Sequence, residues 1–243
     1  MLILLALPGL AGAAEIKVLC SNGFRAVMQD LVPQFERATR HTVTVRYGLS
    51  TAITRQIEAG EPFDLAVLTP SLIDDLIKKG TLAGDTHVVL ARSAIALAHR
   101  AGSQKPDIRT TDALRRTLLA ATSIAYAREG ASAAFFLALV QTLGLAEPLQ
   151  SRIQAVASGE DVGASVASGD AELGVLPVSE ILPIRGVEVV GAFPAEVRGY
   201  VTMVAGVSAR ASQRAAALAL ITFLTDPAVL PVITTRGMER ETR

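Results

Sequence analysis

The chain has 243 residues, 50% of them apolar and 19% charged, with 23 basic residues balancing 23 acidic ones. A sequence of this length buries roughly 70–75% of its unfolded surface and folds without covalent staples. Zero net charge argues against a nucleic-acid partner; one cysteine excludes a disulfide framework and a cysteine-based zinc site; no Trp and 4% aromatics leave no stacking platform for single strands.

Mean hydropathy is +0.41, yet beyond the N-terminus no apolar run reaches the ~18 residues of a membrane span. Met1–Ala14 accounts for part of that hydropathy. It is apolar, ends in small residues and stops at Glu15, as do the core and cleavage region of a secretory signal peptide cut after Ala13 or Ala14. A buried first strand or an apolar terminus gives the same pattern. The signal reading predicts export to the periplasm.

From Glu15 the chain alternates strand-like and helix-like segments, the pattern of parallel α/β architecture. Ile16–Cys20 reads as a strand, and Phe24, Val27, Met28, Leu31 and Phe35 mark one helical face that Pro33 should bend or interrupt. Val43–Tyr47 is a strand and Thr51–Ala59 a helix closed by Gly60. Asp64–Leu68 feeds Thr69-Pro70, a cap with proline at the first helical position, and a helix ending at Gly80. His87–Ala91 and Ala94–His99 read as two strands joined by Arg92-Ser93. Helices follow over Thr111–Ala121, Ser132–Leu143, about Glu160–Ala167 and Ala211–Leu224. Between them lie strands Ser123–Tyr126, Ile153–Val156, Glu172–Leu176, Val187–Val190 and Val201–Val207. Asp226-Pro227 starts a last helix. No flexible linker is evident, so two lobes joined by crossing strands, with a cleft between them, fit the pattern.

Four strand-to-helix junctions are rich in small and hydroxyl residues: Cys20–Phe24, Tyr47–Thr51, Glu129–Ala133 and Leu176–Glu180. In parallel sheets such junctions lie at the carboxyl ends of strands, where ligands bind. Helix N-termini there present unpaired N–H groups, glycine admits close approach, and serine adds a hydroxyl donor. Any single junction is equally an ordinary cap, worth about 1 kcal/mol without a ligand; four together point to an anion site.

The string Ser50–Thr69, with its Arg-Gln-Ile-Glu-Ala-Gly-x-Pro-x-Asp core, resembles the second ligand motif of periplasmic molybdate-binding proteins. The likeness runs from about Glu15 to Gly237. Leu90–Ala98, Lys105–Arg109 and Ser179–Pro183 resemble a divergent, molybdate-like branch of that family, which the tricarboxylate enzyme aconitate isomerase also resembles. The resemblance implies the α/β type II periplasmic binding fold, with one lobe from 15–88 plus 200–243 and a second from 89–199. It implies a hydroxyl donor at Ser50 and backbone donors at Ser132 and Leu176. Gly23 and Met203 stand where a ligand serine and tyrosine are expected, so two donors are missing; Ser21, Asn22 and Tyr200 lie close enough to compensate. The candidate binding set is Ser21, Asn22, Gly23, Ser50, Thr51, Arg128, Ser132, Leu176 and Tyr200.

Arg25, Arg55, Arg128 and Arg198 flank these loops. A guanidinium suits a carboxylate through a bidentate pair, which admits an organic acid as well as an oxyanion as the ligand; taken singly, each reads first as a solvated surface arginine. His41, His87 and His99 are scattered without metal-ligand spacing, so neither metal nor cofactor is expected. The expected function is a monomeric solute-binding protein that hands a small anion to an ABC-type permease. The alternative is an isomerase shifting a proton within an unsaturated tricarboxylate. For that reaction Glu180, Glu129 and Tyr200 are the available titratable groups, Glu180 and Tyr200 foremost.

Overall fold

The computed structural model describes residues 12–240. The expected signal peptide therefore lies, apart from Gly12–Ala14, outside the described residues. Among the described residues no single helix is long and apolar enough to cross a membrane.

Strand β1 (Glu15–Ser21) is flanked in parallel by β2 (Thr42–Gly48) and β3 (Leu65–Leu68). Antiparallel β9 (Tyr200–Val207) pairs with β3, and the long strand β4 (Val88–Arg100) pairs with β9. Helices cover both faces, as the apolar runs of parallel strands require. On one side α1 (Arg25–Thr39) and α9 (Arg214–Thr225) pack Phe24, Met28, Phe35 and Leu220 against the sheet. On the other, α2 (Ser50–Glu58) and α3 (Pro70–Lys78) bury Ile53, Ile57, Ile73 and Leu76.

The second lobe repeats this scheme. The far half of β4 pairs with β7 (Leu173–Pro177) and β8 (Val187–Ala192), and β5 (Ile124–Ala127) lies between β7 and β6 (Ile153–Val156). Helices α4 (Thr111–Ala120), α5 (Ala133–Thr142) and α6 (Ala146–Leu149) bury Leu114, Phe136 and Leu149 on one face, within a core that continues into the first lobe. On the opposite face, α7 (Gly159–Ser168) and α8 (Val178–Ile181) bury Val162, Val166 and Ile181.

Two expectations are corrected. The strands expected on either side of Arg92-Ser93 are one strand, β4. Arg92 and Ser93 pair with Thr202 and Val201 like their neighbours, and from Ile95 the strand is paired in the second lobe. No glycine or proline interrupts it, so the ladder carries the chain from one lobe into the other; 193–199 carries it back. Nor does Pro33 interrupt α1, which is continuous. The proline is exposed, so the carbonyl left without its N–H partner faces water. In finer detail, Pro70 does occupy the first turn of α3, but Thr69 makes no side-chain capping bond. Asp226 accepts the Ala228 N–H at 2.7 Å to open a 3-10 turn before α10 (Leu230–Thr235).

Candidate functional site

Parallel pairing of β1 and β2 puts Ser21 beside Gly48, so the loops after both strands emerge side by side. Ser50, the first residue of α2, donates its hydroxyl to Ser21 Oγ at 2.9 Å, and both serines are buried. A 3-10 turn over Asn22–Phe24 delivers the chain into α1. Asn22 Oδ1 accepts from Arg25 Nη2 at 2.8 Å, and the guanidinium lies over the Tyr47 ring, 5.1 Å from its centroid. Burial, with the Cys20 thiol nearby, pushes the Tyr47 hydroxyl up to about 12, so its proton stays in place.

Facing these loops across the seam are the strand-end loops of the second lobe. Glu129 Oε2 accepts from Thr51 Oγ1 at 3.1 Å and from Arg55 Nη2 at 2.9 Å. The Arg55 guanidinium and then the Thr51 hydroxyl hold the Glu129 carboxyl below its ordinary range. Arg25 Nη1 reaches Glu160, in the first turn of α7, at 3.1 Å. Ser179 donates its hydroxyl to the Gly23 carbonyl at 3.0 Å, and its N–H to Ser93 Oγ at 3.0 Å. Ser93 in turn donates to the Gly237 carbonyl at 2.8 Å. This relay ties the first lobe, the crossover strand, α8 and the C-terminal segment together at one point.

Glu180 occupies the middle of the seam. An ideal Cβ built on Gly23 would lie 3.5 Å from Glu180 Oε1, and one built on Gly159 would lie 2.5 Å from Glu180 Oε2. The carboxyl thus sits between two glycines, one from each lobe, in space that side chains there would fill. Burial raises it to about 7; the Glu160 carboxylate adds to the rise and Arg25 opposes it. Glu180 makes no hydrogen bond or close ion pair among the described residues. It lines a cavity of about 280 Å³ shared by Asn22, Arg25 and Gln29 of the first lobe and Gly159, Glu160 and Ser179 of the second. A larger cavity of about 470 Å³ lies at the other end of the first sheet, around Lys17, Glu58, Asp64 and Arg210, away from these loops.

The remaining sequence candidates divide. Ser132 is buried at the start of α5 with its hydroxyl making no cap bond, and Leu176 is buried with its side chain against Gly159. Met203 packs its methyl 2.7 Å from where a Gly23 Cβ would be. Tyr200, three residues before it on β9, stacks instead over the Arg92 guanidinium at 4.2 Å in the crossover. Arg128 is exposed, its backbone N–H given to Val156, and Arg198 Nε donates to the Phe193 carbonyl. Among the described residues no group of three or more His, Cys, Asp or Glu side chains is placed to hold a metal. Sequence reasoning missed Gly159, Glu160 and the Ser93–Ser179 relay. Ser158-Gly-Glu-Asp161 reads as a plainly capped acidic helix start, and no local pattern separates it from one.

Residues 16–239 match the family model for bacterial extracellular solute-binding proteins. Aconitate isomerase from a Pseudomonas species is 30% identical over 230 residues, which cover 92% of this chain and 87% of that protein. The molybdate-binding protein ModA of Escherichia coli K12 is 29% identical over 195 residues, covering 76% of this chain and 74% of that one. The Azotobacter vinelandii periplasmic molybdate-binding protein shares the fold with a TM-score of 0.79 at 20% identity, over 93% of this chain and 100% of that structure.

Proposed function

The chain belongs to the bacterial extracellular solute-binding protein family, and from that premise we propose that its seam captures a small anion, an organic carboxylate in preference to molybdate, for an ABC-type permease. In this reading the protein works in the periplasm, and the lobes 15–88 plus 200–243 and 89–199 close over the ligand by hinge motion at the two crossovers. The observation that carries it is the meeting of Ser21 with Ser50 and of Asn22 with Arg25 at the strand-end loops of the first lobe, from which Arg25 reaches Glu160 at a helix start of the second. Hydroxyl, amide and guanidinium donors gathered between two lobes suit an anion's lone pairs. Gly23 and Met203, standing where the family resemblance puts hydroxyls, remove two donors that a molybdate shell would use. Ser132 and Leu176 contribute from the facing lobe. Isothermal titration against molybdate, tungstate, sulfate and a panel of di- and tricarboxylates tests this. Stoichiometric binding of a carboxylate without turnover is the expected outcome; silence across the panel refutes anion capture.

One observation favours a second reading, catalysis on the same scaffold. A carboxyl raised to about 7 inside a cleft, as Glu180 is, is poised to take and return a proton near neutrality. The Pseudomonas relative is named for a reaction of that kind. Proton NMR of cis-aconitate incubated with the protein in D2O decides it. Formation of the trans isomer, lost in E180Q, supports isomerisation; no product and no deuterium incorporation removes it.

A further inference from the structure

Two carboxylates reach the seam already paired, Glu129 with Thr51 and Arg55 and Glu160 with Arg25; the other groups that converge there are donors, with one exception. Ser21, Ser50, Asn22 and Arg25 offer O–H or N–H, and the helix starts of the second lobe offer backbone N–H. Glu180 offers lone pairs. Its carboxyl faces the cavity of about 280 Å³, in space that Gly23 and Gly159 leave open, and among the described residues no donor meets it. Glu180 is only partly buried and its oxygens are reached from the cavity, so water can meet the carboxyl until a ligand displaces it; that ligand must then supply a donor in its place or leave the carboxyl protonated. The elements packed around it contribute Arg25 from α1 and Glu160 from α7 as the charged groups. β9 brings Met203, and the turn before α1 brings Asn22 and Gly23. Arg25 is already bonded to Asn22 and Glu160, so it does not serve Glu180 as a hydrogen-bond partner.

We propose that Glu180 is a ligand-contacting residue that accepts a hydrogen bond from the bound anion, so that the seam selects an organic acid bearing a hydroxyl donor beside its carboxylate. This rests on the anion-capture reading and names the ligand class within it. A hydroxy acid fills both kinds of group at once: its carboxylate takes the Asn22 and Arg25 donors that line the cavity, and its hydroxyl donates a hydrogen bond to Glu180. An anion that offers only lone pairs, such as sulfate or a plain dicarboxylate, sets oxygen against oxygen. It binds well only when Glu180 has itself taken up a proton and become a donor. The two ligand types therefore differ in pH dependence as well as in affinity. The raised titration point of this carboxyl places the changeover near neutrality.

The test is isothermal titration of the full chain with matched pairs that differ by one hydroxyl, malate against succinate and citrate against tricarballylate, with sulfate as a proton-less probe. Each is measured at pH 6 and pH 8, in wild type and in E180Q. In the wild type at pH 8 the hydroxyl-bearing member of a pair binds about tenfold more tightly, the size of one satisfied against one unsatisfied buried acceptor. Its plain partner and sulfate lose about tenfold in affinity between pH 6 and pH 8, while the hydroxy acid changes little. E180Q, neutral at every pH and able both to donate and to accept, abolishes the pH dependence. E180A removes the acceptor and abolishes the preference, and thermal melts establish that both variants fold. Equal affinity of paired ligands in the wild type at pH 8 overturns the assignment of Glu180 while leaving anion capture standing. So does a hydroxyl preference that survives in E180A. Silence of the wild type toward every anion at both pH values overturns both.

Discussion

Replacing Glu180 by glutamine keeps the shape of the side chain and removes its charge, and the consequence for stability depends on pH. The carboxyl titrates near 7 in the folded protein against 4.5 when unperturbed. Between those values the folded protein holds a proton that the unfolded chain has released, so stability falls as pH rises through the window. Below 4.5 the group is neutral in both states and contributes nothing; above 7 the full cost of a desolvated charge is present. At about 1.4 kcal/mol for each pH unit of displacement, that cost is about 3 kcal/mol at pH 8 and under about 1 kcal/mol at pH 5. A chain of this size gains roughly 2–4 °C in Tm per kcal/mol. E180Q should therefore melt about 6–12 °C above wild type at pH 8 and at most a few degrees above it at pH 5. Calorimetric melts of the two proteins at both pH values are the assay. An equal difference at pH 5 and pH 8, or a lower Tm for E180Q at pH 8, would refute the claim that Glu180 is held desolvated in the seam.

Three further changes probe its surroundings. Ser93→Ala strips the partners from the Ser179 N–H and the Gly237 carbonyl. It should cost about 1–3 kcal/mol in chemical denaturation and speed hydrogen exchange in α8; unchanged exchange there would show that the relay bears no tension between the lobes. Gly23→Ser places a Cβ 2.7 Å from the Met203 methyl and should destabilise by about 1–3 kcal/mol through overpacking. Most of that loss should be recovered in the G23S/M203A double variant, and a double-mutant cycle without coupling contradicts the contact. Arg55→Ala breaks an exposed bridge to Glu129. Stability should shift by under about 1 kcal/mol, while the Glu129 carboxyl, followed by NMR, titrates at higher pH than in wild type; no upward movement would refute Arg55 as the cause of its low value.

Most of the architecture is legible in the sequence because it is local. The 3.6-residue face from Phe24 to Phe35, the glycines closing α2, α3 and α5, and Pro70 at the start of α3 each act within a turn or two of the chain. The departures come where tertiary context overrides a local signal. Arg92-Ser93 reads as a break because two polar residues interrupt an apolar run. In the fold they meet Thr202 and Val201, and the ladder continues through them. Pro33 reads as a helix breaker, but on the outer face of α1 water takes the carbonyl it leaves free. The site is legible by halves. Parallel pairing of neighbouring strands makes the meeting of Ser21 and Ser50 foreseeable from the strand assignment alone. Contacts across the seam are not, since Thr51 and Glu129 are 78 residues apart and Gly23 and Ser179 are 156 apart. Glu180 shows why position matters more than residue type. In the sequence it is a first-turn glutamate of a short helix, a place where acidic residues are favoured simply by the helix dipole.

Gly23, Met203 and Glu180 belong to a single steric choice. A serine at 23 would bring a hydroxyl donor to the seam, but its Cβ would press on the Met203 methyl at 2.7 Å while meeting Glu180 Oε1 at an ordinary 3.5 Å contact. With glycine there, the Met203 methyl takes the place of a Cβ and Glu180 Oε1 lies beside it, so this corner of the seam has an acceptor and lacks a hydroxyl. An oxyanion whose surface is all lone pairs is disfavoured twice by that exchange, once by the missing hydroxyl and once by the facing carboxylate. A ligand that brings its own O–H is disfavoured by neither. In the reading proposed above, the residues that weaken the case for molybdate are therefore the same ones that select the anion the seam holds.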